Sequence, residues 1–305
     1  MPTVPTFFIA GAAKCGTTTL YGHLSDHPAV CMAHPKEPEY FYGHEYHRGL
    51  EYYWQKYFRH FKGEPEIGEA AHRILYLPFA ARRVRETVTD ARFIVACREP
   101  VSRAWSHYTY ARARGDEPRS FEDALAVNFR RLETGPHFHD DAEAALYGDS
   151  LDHKRVDIDF PSYVDSGHYA EQIRRYQHLF GSERVKVLLF DDLVADPQRT
   201  MNEILQFLGL PPQVLREATP ANPLAAPFVY GVYKTLGRLP GIDRIPGEWR
   251  DGVKTALART FAARKPDIEP RTAARLRQHY RVHNDALATL IGRDLSHWNG
   301  GSHAR

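Results

Sequence analysis

Phe7-Phe8-Ile9-Ala10-Gly11-Ala12-Ala13-Lys14-Cys15-Gly16-Thr17-Thr18-Thr19-Leu20 decides the fold. An apolar run enters a glycine-bounded loop, and threonines come next where a helix should begin. This is the layout of a strand–loop–helix that holds a phosphate on backbone N–H groups and on the positive end of a helix. The nucleotide-binding form reads G-x-x-x-x-G-K-[ST], with lysine directly after the second glycine. Here Gly11 and Gly16 keep the spacing, Thr17 stands where that lysine should be, and the loop's lysine is Lys14. Its cation therefore reaches a different part of the ligand, which argues against ATP. The plain alternative is a strand–turn–helix whose threonines only cap the helix.

Outward from this loop, strand-like and helix-like segments alternate. Strands are expected at residues 6–11, 29–32, 66–69, 92–97 and 185–190. Helices are expected at 17–26, 49–60, 78–88, 100–112, 169–180 and 198–208, and a last one at about 270–291. Pro78 and Pro100 suit first helical turns, and Gly181 and Gly209 suit helix ends. Such alternation implies an α/β protein with a central, mostly parallel sheet and helices on both faces. A helix starts near Phe121, but about 133–161 is rich in Gly, Pro, His and Asp and reads as a substrate-covering loop or a disordered insertion. The proline-rich stretch 210–268 reads as an irregular excursion with short helices. One domain over 1–305 is expected, with a binding core at about 5–112 and 166–209 and variable segments at about 114–165 and 210–268.

Composition narrows the function. Apolar residues make up 43% of the chain, enough for a sizeable core. A net charge of +2 is too balanced to argue for nucleic acid or an anionic membrane. Cys15, Cys31 and Cys97 are an odd, sparse set, which speaks against a disulfide framework and for a reducing compartment. No run has a membrane-spanning or signal-peptide pattern, so a soluble, cytoplasmic protein is expected. No His, Asp or Glu set stands out with zinc spacing, and no metal is expected.

The second informative stretch is the apolar run Arg92-Phe93-Ile94-Val95-Ala96-Cys97 with its continuation, Arg98-Glu99-Pro100-Val101-Ser102-Arg103-Ala104-Trp105-Ser106. An ATPase would place an aspartate for magnesium at the end of such a strand; this one ends on Arg98. Ser102 and Ser106 share a helix face. Arg98 and Ser106 can build a second anion site without metal, since a guanidinium fork binds two oxygens at once.

Together, Gly11–Thr18 and Arg98–Tyr108 resemble the two cofactor motifs of sulfotransferases that use 3′-phosphoadenosine 5′-phosphosulfate (PAPS), nearest to the bacterial and Golgi-type carbohydrate branch. The segments Gly181–Leu193 and, weakly, Leu290–Trp298 extend the likeness. The resemblance implies the P-loop-like sulfotransferase fold and PAPS as co-substrate. It implies that Ala13, Lys14, Cys15, Gly16, Thr17 and Thr18 hold the 5′-phosphosulfate and that Arg98 and Ser106 hold the 3′-phosphate. The expected reaction is in-line sulfuryl transfer to an acceptor hydroxyl on a glycan or secondary metabolite.

That reaction needs a base for the acceptor's proton and positive charge on the departing phosphate oxygen. Lys14 is expected to supply the charge. Glu37, in Pro35-Lys36-Glu37-Pro38-Glu39-Tyr40-Phe41, is expected to be the base, and the resemblance agrees. Glu39 is its rival, and Lys36 is a possible second cation near the sulfate. In Glu66-Ile67-Gly68-Glu69-Ala70-Ala71-His72-Arg73, Glu69 is expected to orient the acceptor or support the base. Ala70 stands where family members sometimes carry an assisting lysine. His72 and Arg73 are candidate contacts of cofactor or acceptor. Histidines 34, 44, 47, 107 and 168 match no histidine-base motif. The aromatic stretch Tyr42, Tyr46, Tyr52, Tyr53, Trp54 reads as core before cleft wall. The rivals are a P-loop kinase or NTPase and a non-catalytic nucleotide-binding protein.

Overall fold

The computed structural model describes residues 4–135, 137–215 and 267–300. Five strands form one sheet: β1 (Phe7–Gly11), β2 (Val30–Met32), β3 (Glu66–Ala70), β4 (Arg92–Cys97) and β5 (Val185–Leu189). Their order is β2-β3-β1-β4-β5, and every pairing is parallel. All five residues of β1 are buried, as expected of a central parallel strand covered on both faces. Gly68 of β3 admits no side chain, because a Cβ there would lie 2.3 Å from Phe7 Cζ and 2.4 Å from Met32 Sδ. Phe8 stacks on Phe93 (5.4 Å between centroids), and Phe93 meets Tyr176 at 4.7 Å, so neighbouring strands and a covering helix share one aromatic core.

This strand order fixes where a ligand sits. The chain leaves β1 toward one edge, to β2, and leaves β4 toward the other, to β5. Parallel crossovers are right-handed, so the connections that run in opposite directions lie on opposite faces. The loops after β1 and β4 part at their carboxyl ends and open a crevice, where open α/β sheets bind ligands. The pairing of β1 with β4 shifts register between Ile9 and Gly11, one step before the loop opens.

The expected helices are all present among the described residues, and others are added. After α1 (Thr17–Ser25), α2 (Gly49–Tyr57), α3 (Arg73–Tyr76), α4 (Pro78–Thr87), α5 (Pro100–Arg114) and α6 (Phe121–Glu133) come α7 (Asp141–Asp152) and α8 (Val156–Asp159). The stretch read as loop or disorder is thus largely helical. Asp140 caps α7 by accepting from the Glu143 amide at 2.8 Å. Beyond α9 (Tyr169–Phe180), the end of the expected last strand instead begins a short helix, α10 (Phe190–Ala195), and α11 (Pro197–Leu208) comes after it. The final helix is α12 (Pro270–Ile291), packed on α9 and α5. Most of the proline-rich excursion expected at 210–268 lies outside the described residues.

Candidate active site

The loop between β1 and α1 reaches the crevice in a conformation the sequence had to permit. Gly16 caps α1 in the left-handed region (φ 89°), and a Cβ there would meet Leu193 Cδ2 at 2.8 Å. Lys14 is also left-handed (φ 67°), uncommon for a residue with a side chain. Its ammonium lies 4.0 Å from the centre of the Tyr110 ring. Ala13, Lys14, Gly16, Thr17 and Thr18 all line one cleft of about 910 Å³, toward the upper end of the ~300–1,000 Å³ of ligand sites.

Cys15 departs from this set. Its side chain is fully buried, its thiol lies 3.9 Å from the Tyr169 hydroxyl, and its amide bonds the Ala12 carbonyl at 3.3 Å. Burial pushes the thiol up to about 11, so it stays protonated. Ala12 likewise directs its amide to Ala96 O at 2.8 Å. Both amides thus bond backbone carbonyls within the protein.

Arg98 enters the same cleft from the end of β4. Tyr169 at the start of α9 fixes its backbone: the phenol donates to Arg98 O at 2.8 Å and accepts from Arg98 N at 3.4 Å. The guanidinium donates to the Lys14 carbonyl at 3.3 Å and lies 4.8 Å from the Phe190 ring centre, so the two motifs touch each other. Glu99 caps α5, accepting from Val101 N (2.9 Å) and Ser102 N (2.7 Å), and sets the helix phase that brings Ser106 to the cleft. Phe190, Leu193 and Val194 of α10 complete this side of the wall.

Across the cleft, Glu37 is another left-handed residue (φ 63°), its amide tied to Ala70 O at 3.0 Å. One carboxylate oxygen takes the Lys36 ammonium. The other faces His72 Nδ1 at 2.9 Å and accepts from the His72 amide at 3.1 Å. Burial alone would raise its pKa, but His72 and then Lys36 outweigh that and hold the carboxyl well below the usual carboxylate range. Glu37 is therefore ionised near neutrality. Glu39 also lines the cleft but is exposed, and burial together with the Glu45 and Asp152 charges raises its pKa against the pull of Arg73.

Glu69 is corrected. It is fully buried under the cleft, where it takes the Tyr53 phenol, and it does not line the cleft. It cannot orient an acceptor. Burial pushes its carboxyl up to about 8, against the pull of Tyr53 and with the help of the Glu37 charge, so at neutral pH it holds its proton. The folded value lies above the ordinary ~4.3. This contribution to stability is therefore complete below about pH 4.3 and is lost as pH rises through 8. Glu69→Gln should accordingly raise Tm more at about pH 8.5 than at about pH 5, by about 3 °C or more. Melting curves whose difference is the same at both pH values would overturn that reading.

Sequence reasoning found Arg73 but missed the rest of the far wall. Arg73, His107, Tyr147 and Asp157 converge there with Asp152 and Lys154, brought in by α7 and α8. Arg73 donates to the Tyr147 phenol. His107 Nε2 lies 3.4 Å from Asp157 Oδ1; burial still pushes the imidazole down to about 4, so it is neutral at pH 7. The aromatic stretch is mainly core, with Tyr42 and Tyr53 buried, although Tyr42 also borders the cleft.

The model of the sulfotransferase domain matches residues 5–221. The chain belongs to the sulfotransferase family. Among its relatives is the mouse bifunctional heparan sulfate N-deacetylase/N-sulfotransferase 4, 25% identical over 97% of this chain and 31% of the relative. The mouse heparan sulfate glucosamine 3-O-sulfotransferase 3A1 is 26% identical over 97% of this chain and 65% of its own. This chain thus spans about a third of the length of the bifunctional relatives. A sulfotransferase from Alicyclobacillus acidocaldarius superposes with a TM-score of 0.66 at 25% identity, covering 97% of this chain and 99% of that one. The five-stranded parallel sheet is thus the sulfotransferase fold. Among the described residues no helix is long and apolar enough to cross a membrane.

Proposed function

We propose that this sulfotransferase moves the sulfuryl group of PAPS to a hydroxyl on a glycan, with Glu37 as base. The observation that carries the reading is the convergence of two anion-binding motifs, from β1 and β4, on one crevice that also holds an ionised glutamate. Lys14 and the hydroxyls of Thr17 and Thr18, all lining this cleft, hold the phosphosulfate end, with Lys14 neutralising the departing phosphate oxygen. Arg98 and Ser106 take the 3′-phosphate. The ring of Phe190 beside Arg98, with Leu193 and Val194, offers the apolar slot that adenine needs. Glu37 withdraws the acceptor's proton as the new S–O bond forms.

This far wall suits a sugar, because Arg73 of α3 and Asp152, Lys154 and Asp157 of the α7–α8 segment present donors and acceptors rather than a greasy slot. The relatives named for heparan sulfate point the same way. Labelled PAPS offered with desulfated heparan oligosaccharides should give labelled product without added magnesium. Tight binding of magnesium–ATP, with none of adenosine 3′,5′-bisphosphate, would instead favour a kinase or NTPase. Thr17 in the lysine position and Arg98 at the strand end already oppose that rival.

His72 takes the part that Ala70 leaves vacant. Its Nδ1 contact keeps the Glu37 carboxylate turned to the cleft. His72→Ala should lower kcat about 10–100-fold with little change in KM for PAPS, the size of effect seen when an orienting partner is lost. A KM effect without a kcat effect would make His72 a donor contact instead.

A further inference from the structure

No zinc spacing stands out along the chain, yet His279 and His283 stand one turn apart on α12 as H-x-x-x-H. The fold brings His168, the residue before α9, against them. His168 Nε2 lies 2.8 Å from His279 Nε2, and the rings of His168 and His283 stack at 3.6 Å. One ring nitrogen from each of the three lies within 4.8 Å of the other two. A tetrahedral ion with bonds of about 2.0–2.1 Å needs nitrogens about 3.3 Å apart. The 2.8 Å separation and the 4.8 Å limit bracket that spacing, so an ion would require only side-chain rotation.

We propose that His168, His279 and His283 form a binding site for a divalent transition metal of zinc type, apart from the cleft. Three imidazoles suit a borderline ion. His283 Nδ1 faces Glu171 Oε1 at 3.4 Å, the carboxylate–histidine arrangement that orients a ligating ring and leaves its Nε2 for the ion. His168 is buried and the other two are half-buried, so water can fill the fourth position. The surrounding charge is balanced: Glu171 and Asp165 supply the negative groups, Arg103 and Arg275 the positive ones. Nothing in the sulfuryl transfer uses this cluster. Its location gives the ion a structural effect. It would pin α12 to the start of α9, next to Tyr169, whose hydroxyl holds the Arg98 backbone.

The test uses the whole chain, stripped with chelator and titrated with ZnCl2 and, separately, CoCl2. One ion per chain is expected, with visible absorption typical of tetrahedral cobalt, and zinc should raise Tm by about 4 °C or more when present well above its dissociation constant. The double variant His279→Ala/His283→Ala should lose uptake, spectrum and thermal shift together. Glu171→Gln, which touches no ligand bond, should keep the stoichiometry and weaken affinity about 10–100-fold. No stoichiometric uptake by the parent chain, or equal uptake by the double variant, overturns the proposal. Should the double variant fail to fold, unchanged affinity in Glu171→Gln and an unchanged cobalt spectrum in His283→Gln would overturn it equally.

Discussion

Glu37→Gln should lower turnover by about 10²–10⁴-fold, the range for loss of a general base, and leave the affinity for adenosine 3′,5′-bisphosphate within about twofold. The amide keeps the shape of the side chain, and its single oxygen can still accept from Lys36 or from the His72 amide, but it cannot take a proton. The donor motifs lie on other elements, so binding of the bisphosphate should survive. The pH profile offers an independent check. Because His72 and Lys36 hold the Glu37 carboxyl well below its usual range, the carboxylate persists on acidification. The loss of kcat/KM traceable to this group should therefore set in below about pH 4.3 rather than at it. Lys36 faces the cleft as well as Glu37. A lysine drawn toward a bound sulfate would leave the carboxylate more basic, so the corresponding limb in kcat should lie higher than in kcat/KM. Unchanged turnover in Glu37→Gln would remove the residue from the chemistry.

Arg98→Ala should weaken adenosine 3′,5′-bisphosphate by about 30-fold or more, on the basis of ~1.5–3 kcal/mol for each hydrogen bond to a charged group. It should weaken adenosine 5′-phosphosulfate, which lacks the 3′-phosphate, by only a few-fold. The guanidinium is already positioned before any ligand arrives, by the Lys14 carbonyl, the Phe190 face and the Tyr169 clamp on its backbone. Little ordering entropy then opposes binding, and the loss on truncation approaches the full interaction. Arg98→Lys should recover only part of the affinity, since an ammonium cannot offer the two-pronged fork. Equal weakening of both nucleotides in calorimetry would mean that the 3′-phosphate binds elsewhere.

Much of this site is legible in the chain because its anchors are local. A buried parallel strand reads as an apolar run, and the residues just past it must lie at the sheet's carboxyl edge; that places Lys14, Arg98 and Glu37 without a structure. What is not legible depends on long-range contact. The partnership of His72 with Glu37 spans 35 positions. Glu69 sits beside Glu37 in type and position, yet the Tyr53 ring seals it from solvent. Cys15 lies in the right loop and points the wrong way, toward Tyr169. The helices at 141–159 are hidden because Gly, His and Asp suggest a loop. The signal Asp140-x-x-Glu143, an acid at a cap with another three residues on, is present in the sequence and outweighed by composition. His279 and His283 lie 111 and 115 positions beyond His168, and no spacing rule joins them.

The cleft's two walls have separate origins in the chain. The half that faces the nucleotide is welded to strands in the middle of the sheet, where a change of one residue disturbs the core. The opposite half draws Asp152, Lys154 and Asp157 from a helical segment inserted between α6 and α9, outside the sheet altogether. Recognition of new acceptors can thus be altered by rewriting that insertion while the energy-bearing half of the machine stays as it is.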